Sequence, residues 1–299
     1  MTAQSQLMPT RPSTDRVIGR LIEVSNKEVM DLETSFTWGN GVDLSRRPKS
    51  EKNGWLYGMS YWDKLSPEHK HEMLWKEFAR DISMFIWLEQ RLPPLYVGYI
   101  NKHRDGIPPH IYEYLMIFSR EEIVHTLAFR RFMKSAKLDL FQPPEGYGLL
   151  FDTLPTMHPV VGILYTLIIE WVAEAGALHI AQDETIDLLT RQLIVVHHHD
   201  EVRHIAFARK IVEDFFETAP APMLDEIRSR VRSQLPNLFD QYTYNAEIGA
   251  HLSFEYPVAA DDVQAHAEIR NSPNNRRVNE ERFGELYAWL RKLGILLAA

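Results

Sequence analysis

Apolar residues recur along most of this chain at intervals of three and four, the spacing of helices with one buried face, while strand-type alternation is scarce. The pattern predicts long helices over roughly 67–91, 109–135, 158–181 and 184–217, and shorter ones near 14–34, 222–234, 259–270 and 278–297. Proline pairs at Pro93-Pro94, Pro108-Pro109 and Pro143-Pro144 read as breaks between them. Ser66-Pro67 has the form of an N-cap followed by proline at the first helical position, and Asp183 is placed to cap the fourth long helix. The stretch from Trp38 to Gly54 is polar and expected to be looped. The expected architecture is all-α in one domain: a four-helix core over 67–217, with helical extensions at 1–66 and 218–299.

The inward faces of these four helices carry ionisable residues where a core should be apolar. Phe78, Ile82, Phe85 and Glu89 share one stripe, as do Leu115, Phe118, Glu122, His125 and Phe129. Ile163, Leu167, Glu170 and Glu174 align on the third helix, and Leu193, His197, Glu201, His204 and Ala208 on the fourth. Glu122-Ile123-Val124-His125 and Glu201-Val202-Arg203-His204 each set a glutamate and a histidine one turn apart, able to converge on one ion. Each is preceded by an inward glutamate, Glu89 being 33 residues before Glu122 and Glu170 31 before Glu201. That is the recipe of carboxylate-bridged two-metal sites in helical bundles. Unpaired buried carboxylates are costly, so the pattern implies cations or counter-charges.

His197 lies on the same face as Glu201 and His204, which adds a third histidine to the candidate set, whereas His198 and His199 turn progressively away. Glu170 and Glu174 compete for one position. The matching of depth across a hairpin favours Glu170, leaving Glu174 as an outer partner or as a ligand in another redox state. A further match, Glu68-His69-Lys70-His71, falls in a polar first turn with no glutamate helix before it, and is expected at the surface.

Composition narrows the chemistry. With no cysteine, any metal sits on nitrogen and oxygen, a donor set suited to iron or manganese. A net charge of −8 without a Lys/Arg block argues against nucleic-acid binding. The first twenty residues lack the apolar core of a signal peptide, so a cytoplasmic location is expected. The apolar run Val160–Ile169 is interrupted by Glu170, Glu174 and His179, so a buried bundle helix is expected there, not a membrane span. Phe85, Phe118, Phe129 and Trp171 are candidate walls of the site.

Over residues 70–217 the chain resembles the non-haem di-iron N-oxygenases, within the ferritin-like superfamily, typified by p-aminobenzoate N-oxygenase and the chloramphenicol-pathway arylamine oxygenase. The most specific part of the likeness is His197-x-x-x-Glu201-x-x-His204, whose first histidine the generic ferritin-like pattern lacks; Asp183-Glu184-Thr185-Ile186 is also similar. The resemblance implies a ferritin-like bundle with two iron ions on Glu89, Glu122, His125, Glu170, His197, Glu201 and His204. It implies dioxygen bound as a peroxo species, and an amine substrate oxidised through hydroxylamine and nitroso levels to nitro. It also implies an external electron donor, a reductase or small redox protein, and a homodimer. A pocket arginine for an acidic substrate is sought in the C-terminal region, at Arg270, Arg276 or Arg277.

Other readings of the same residues are a di-iron hydroxylase or desaturase acting on carbon, and ferritin-like iron storage or peroxide detoxification. A metal-free polar network is a third. The extra histidine separates the first from N-oxygenation, and the long extensions on either side of the core suit a covered pocket better than a storage cage.

Overall fold

A computed structural model describes residues 7–8, 11–143, 145–175 and 177–297. Four helices form the core: α3 (Pro67–Glu89), α5 (Pro109–Ser135), α7 (Pro159–Glu174) and α9 (Leu188–Thr218). Around them lie α1 (Pro12–Lys27), α2 (Ser60–Asp63), α4 (Leu92–Lys102), α6 (Glu145–Thr153), α8 (Ala177–Gln182), α10 (Ala221–Asp240), α11 (Val263–Arg270) and α12 (Pro273–Lys292). Among the described residues the sole β-type contact is an isolated parallel bridge between Arg47 and Ile186. The protein is thus all-α and consistent with a ferritin-like bundle.

The core helices pair in antiparallel fashion, as their cross-contacts show. Phe78 of α3 meets Phe132 of α5 and Phe85 meets Phe129. On the other pair His158, at the start of α7, meets Phe215 near the end of α9, while Glu174 at the end of α7 meets His197. α1 packs along both α5 and α9, α4 along α5, and α12 on α7.

Two local expectations needed correction. Pro93-Pro94 does not break the chain into a loop; both prolines fall in the first turn of α4, where amide hydrogens have no intrahelical partner to lose. The third long helix is interrupted after Glu174 and continues as α8 over Ala177–Gln182, and the fourth begins at Leu188 with Asp187 as its cap. Asp187 Oδ2 accepts from Thr190 N at 2.7 Å, while its Oδ1 accepts from Asp43 N at 2.8 Å. Asp183 instead closes a turn on Thr185 N and faces Arg47. The expected cap at Ser66 is present, its Oγ accepting from His69 N at 3.2 Å.

The apolar core divides into two clusters. One holds Leu115, Phe118, Leu167 and Phe207; the other holds Phe78, Ile82, Phe129 and Leu193. On α5 and α9 the break between clusters falls at the glutamate–histidine motifs, so a polar layer crosses the bundle. The apolar α7 is buried along nearly its whole length, Pro159 to Glu174, as the central helix of the protein.

One glycine of α7 is set by close packing. Tyr99 Oη donates to the Leu154 carbonyl at 2.8 Å, and a Cβ at Gly162 would lie 2.0 Å from that oxygen and 2.8 Å from the ring. Gly162→Ala is therefore expected to destabilise by about 1–3 kcal/mol through overpacking, although alanine is the better helix former. Chemical denaturation would read this as a lowered midpoint; an unchanged one would mean that Tyr99 yields freely.

Candidate metal centre

The polar layer is built by local helix geometry. Glu122 and His125 sit one turn apart on α5, His197, Glu201 and His204 on one face of α9, Glu89 at the last turn of α3 and Glu170 one turn before the end of α7. The structure brings all seven together. Glu89, His125, His197 and Glu201 form one group, and Glu122, Glu170, Glu201 and His204 a second, each with its donor atoms within 4.8 Å of one another. Glu201 belongs to both. All seven are buried, none more than 3 % exposed.

The orientation of these atoms is not that of a hydrogen-bonded network. Both oxygens of Glu122, of Glu170 and of Glu201 lack any hydrogen-bond partner, as do His125 Nδ1 and His204 Nδ1. His204 Nδ1 lies 2.9 Å from Glu122 Oε1 and 3.3 Å from Glu201 Oε1, and His125 Nδ1 lies 3.2 Å from Glu201 Oε1. These atoms are near neighbours that do not hydrogen-bond to one another. One inward contact is aligned: His197 Nε2 and Glu89 Oε1 are 2.9 Å apart.

Without cations the layer is electrostatically costly. Burial pushes the Glu89 carboxyl up to about 8, partly offset by His197. Burial also raises Glu170 well above the usual carboxylate range, and the neighbouring Glu201 and Glu122 add to it. Glu201 goes the other way: against burial, the charges of His204 and His197 hold it well below its ordinary value. Two divalent cations would compensate these charges and use the orphaned oxygen and nitrogen lone pairs, so the donor set fits metal ions.

A second ring of carboxylates fixes each histidine from behind. His125 Nε2 meets Asp200 Oδ2 at 2.9 Å, His204 Nε2 meets Glu121 Oε2 at 2.8 Å, and His197 Nδ1 meets Glu174 Oε1 at 3.0 Å. A ring N–H donated outward leaves the other nitrogen's lone pair facing inward, the tautomer a metal ligand needs. The pairing is crossed, since Asp200 of α9 serves the histidine of α5, and Glu121 of α5 serves that of α9. Arg203 closes the ring: it bonds Asp200, faces Glu121 at 3.4 Å, and donates from Nε to Ser25 Oγ of α1 at 2.8 Å.

Glu121 and Asp200 were not expected, although a signal was present: an acidic residue stands immediately before each motif glutamate, as Glu121-Glu122 and Asp200-Glu201. Glu174 occupies the outer position, and its second oxygen takes His198 Nδ1. The Glu68-x-x-His71 match lies apart, His71 meeting the Leu44 carbonyl in an exposed contact. Of the expected wall residues, Phe118 stacks on His204 with ring centres 3.6 Å apart, while Phe85 and Phe129 flank His197 at 5.0 and 4.8 Å. Trp171 packs instead against Trp289.

A family model described as p-aminobenzoate N-oxygenase AurF matches residues 11–294, nearly the whole chain. The chain belongs to the p-aminobenzoate N-oxygenase family. A search of curated proteins finds no match.

In this N-oxygenase a cavity of about 90 Å³ reaches inward to Phe85 and Glu174, the residues that touch His197. Phe78, Ile82 and Ile194 give it an apolar wall, and Lys49 and Arg282 stand along it. Lys49 is neutralised, its Nζ lying 2.8 Å from Glu77 Oε2 and 3.8 Å from Asp81. Arg282 donates to the Tyr242 carbonyl and has no carboxylate partner among the described residues. The basic residue along the cavity without a carboxylate partner among the described residues is therefore Arg282 of α12, five residues beyond Arg277, the last of the expected candidates. Arg270, Arg276 and Arg277 are exposed and do not line it.

Proposed function

We propose that this enzyme N-oxygenates an aromatic amine carrying an acidic group, using two iron ions and dioxygen, with electrons from a separate reductase or small redox protein. The observation that carries this reading is the pair of buried donor groups sharing Glu201, in a chain of the p-aminobenzoate N-oxygenase family. Glu89, His125, His197 and Glu201 would hold one ion, and Glu122, Glu170, Glu201 and His204 the other. Two irons so held would supply the electrons and open coordination positions needed to reduce dioxygen for transfer to nitrogen.

The chain's own residues then do the rest. Phe118, Phe85 and Phe129 pack against the imidazoles and keep water from the layer. Asp200, Glu121 and Glu174 hold the ring protons on the outer nitrogens, so the histidines keep one orientation. The apolar wall of Phe78, Ile82 and Ile194 suits a flat ring, and Arg282 would meet an anionic substituent at the end opposite the amine.

The test is a single turnover with the protein loaded with Fe(II) without air, then mixed with O2 and a panel of amines, with product masses followed. An acid-bearing arylamine should yield hydroxylamine, nitroso or nitro product. Arg282→Ala should raise KM for that amine about 10–100-fold, the loss of one charge-assisted hydrogen bond, and leave neutral arylamines unaffected. Iron oxidation with no amine product would overturn N-oxygenation in favour of chemistry on carbon or peroxide.

A further inference from the structure

The three carboxylates behind the histidines are not closed in the same way. Asp200 and Glu121 are both held by Arg203, which is buried and bonded to Ser25 of α1. A guanidinium has no lone pair to give, so that side of the layer offers nothing to an arriving cation. Glu174 differs. Its Oε1 meets His197 Nδ1 at 3.0 Å and its Oε2 meets His198 Nδ1 at 2.5 Å. One carboxylate thus joins a buried histidine of the centre to a neighbour whose side chain is 23 % exposed.

Glu174 also lines the cavity, along which His179 and Glu281 are exposed to solvent. The other carboxylates there are already matched by cations. Asp81 lies 3.8 Å from Lys49, and Glu281 lies 2.9 Å from Arg277. Glu174 has no lysine or arginine partner among the described residues and is paired only with His197 and His198. A carboxylate beside an imidazole is a donor pair that Fe(II) accepts, in place of the hydrogen bond between them. From Glu174 the way inward is one residue long, because His197 meets Glu174 at Nδ1 and Glu89 at Nε2. The run His197-His198-His199 therefore divides by depth into a residue of the centre, a half-buried neighbour on Glu174, and an exposed third.

We propose that Glu174 and His198 form an outer metal site, the point at which Fe(II) passes from the cavity to the centre. The proposal rests on the two-ion reading of the centre and adds the route by which it fills. Glu174 and His198 offer two donors, against four in each inner group, so an ion there is held briefly and passed on.

Co(II) uptake by the metal-free full chain, followed by its visible absorption in a stopped-flow instrument, provides the test, with release to a chelator measured afterwards. The native chain should take two ions. His198→Leu should still take two, but uptake and release should both slow by about tenfold or more, since a residue on the route acts in both directions. Glu174→Gln keeps an acceptor for His197 and loses the charge, and should slow both rates in the same way. A residue that merely supports His197 would behave differently, its loss speeding release and lowering occupancy. That pattern in both variants would overturn the proposal, as would His198→Leu filling with two ions at the native rate; in either case the two-ion centre would stand. A native chain that binds fewer than two ions at saturation would overturn the two-ion reading itself, and the entry route with it.

Discussion

Replacement of Glu201 by alanine is expected to empty both metal positions together. Glu201 is the one residue common to the two donor groups, and both its oxygens lack hydrogen-bond partners. It also lies within 3.3 Å of the inward nitrogens of His125, His197 and His204, so three imidazoles lose their shared anion at once. Loss of turnover should exceed the roughly 10–100-fold that follows removal of a residue merely supporting a metal ligand. Glu89→Ala and Glu170→Ala offer the contrast, since each belongs to a single group and should leave one ion bound. Metal analysis of the three purified variants after loading with Fe(II) would separate these outcomes. A Glu201→Ala protein that keeps two irons per chain and native turnover would remove the shared-carboxylate reading.

Arg203→Met should cost about 3–5 kcal/mol of folding stability, because it leaves buried carboxylates without their cation. Arg203 is 6 % exposed, and its partners Asp200 and Glu121 are 2 % and 3 % exposed. Methionine fills much of the same space, so the loss should come from charge more than from a cavity. Adding Asp200→Asn and Glu121→Gln to Arg203→Met should recover part of the loss, since no uncompensated anion then remains in the outer ring. Chemical denaturation of the single and triple variants measures this directly. If the triple variant were no more stable than the single one, packing by the arginine stem would be the main contribution. The same substitution also unties Ser25, so α1 should loosen over the α5–α9 seam, readable as faster amide exchange in residues 18–27.

The chemistry was legible because it is local. A glutamate and a histidine three residues apart share a helix face whatever surrounds them, so Glu122 with His125, and Glu201 with His197 and His204, could be read as sets from periodicity alone. The apolar stripes around them said which face was inward. The choice of Glu170 over Glu174 rested on a depth match counted from Asp183, whereas the structure caps α9 at Asp187. Counted from Asp187, Glu174 at 13 residues matches Glu201 at 14 better than Glu170 at 17, so the packing of α7 on α9, and not that count, sets which glutamate lies in the inner layer.

What escaped depends on which helices are neighbours and how they are rotated. Glu121 and Asp200 were visible as acidic residues, but their partners lie 83 and 75 residues away on the opposite helix. Only the packing of α5 on α9 makes that crossed pairing. Ser25 reaches Arg203 across 178 residues because α1 folds back over the same seam. Arg282 lines the cavity because α12 comes to lie on α7, and nothing in residues 273–292 announces it. Spacing along a helix is dictated by bonds and hydrogen bonds within a few residues, so the chain by itself determined which glutamates and histidines share a helix face. Tertiary packing decided which carboxylate orients which histidine, because that is settled by the fit of whole helices against one another.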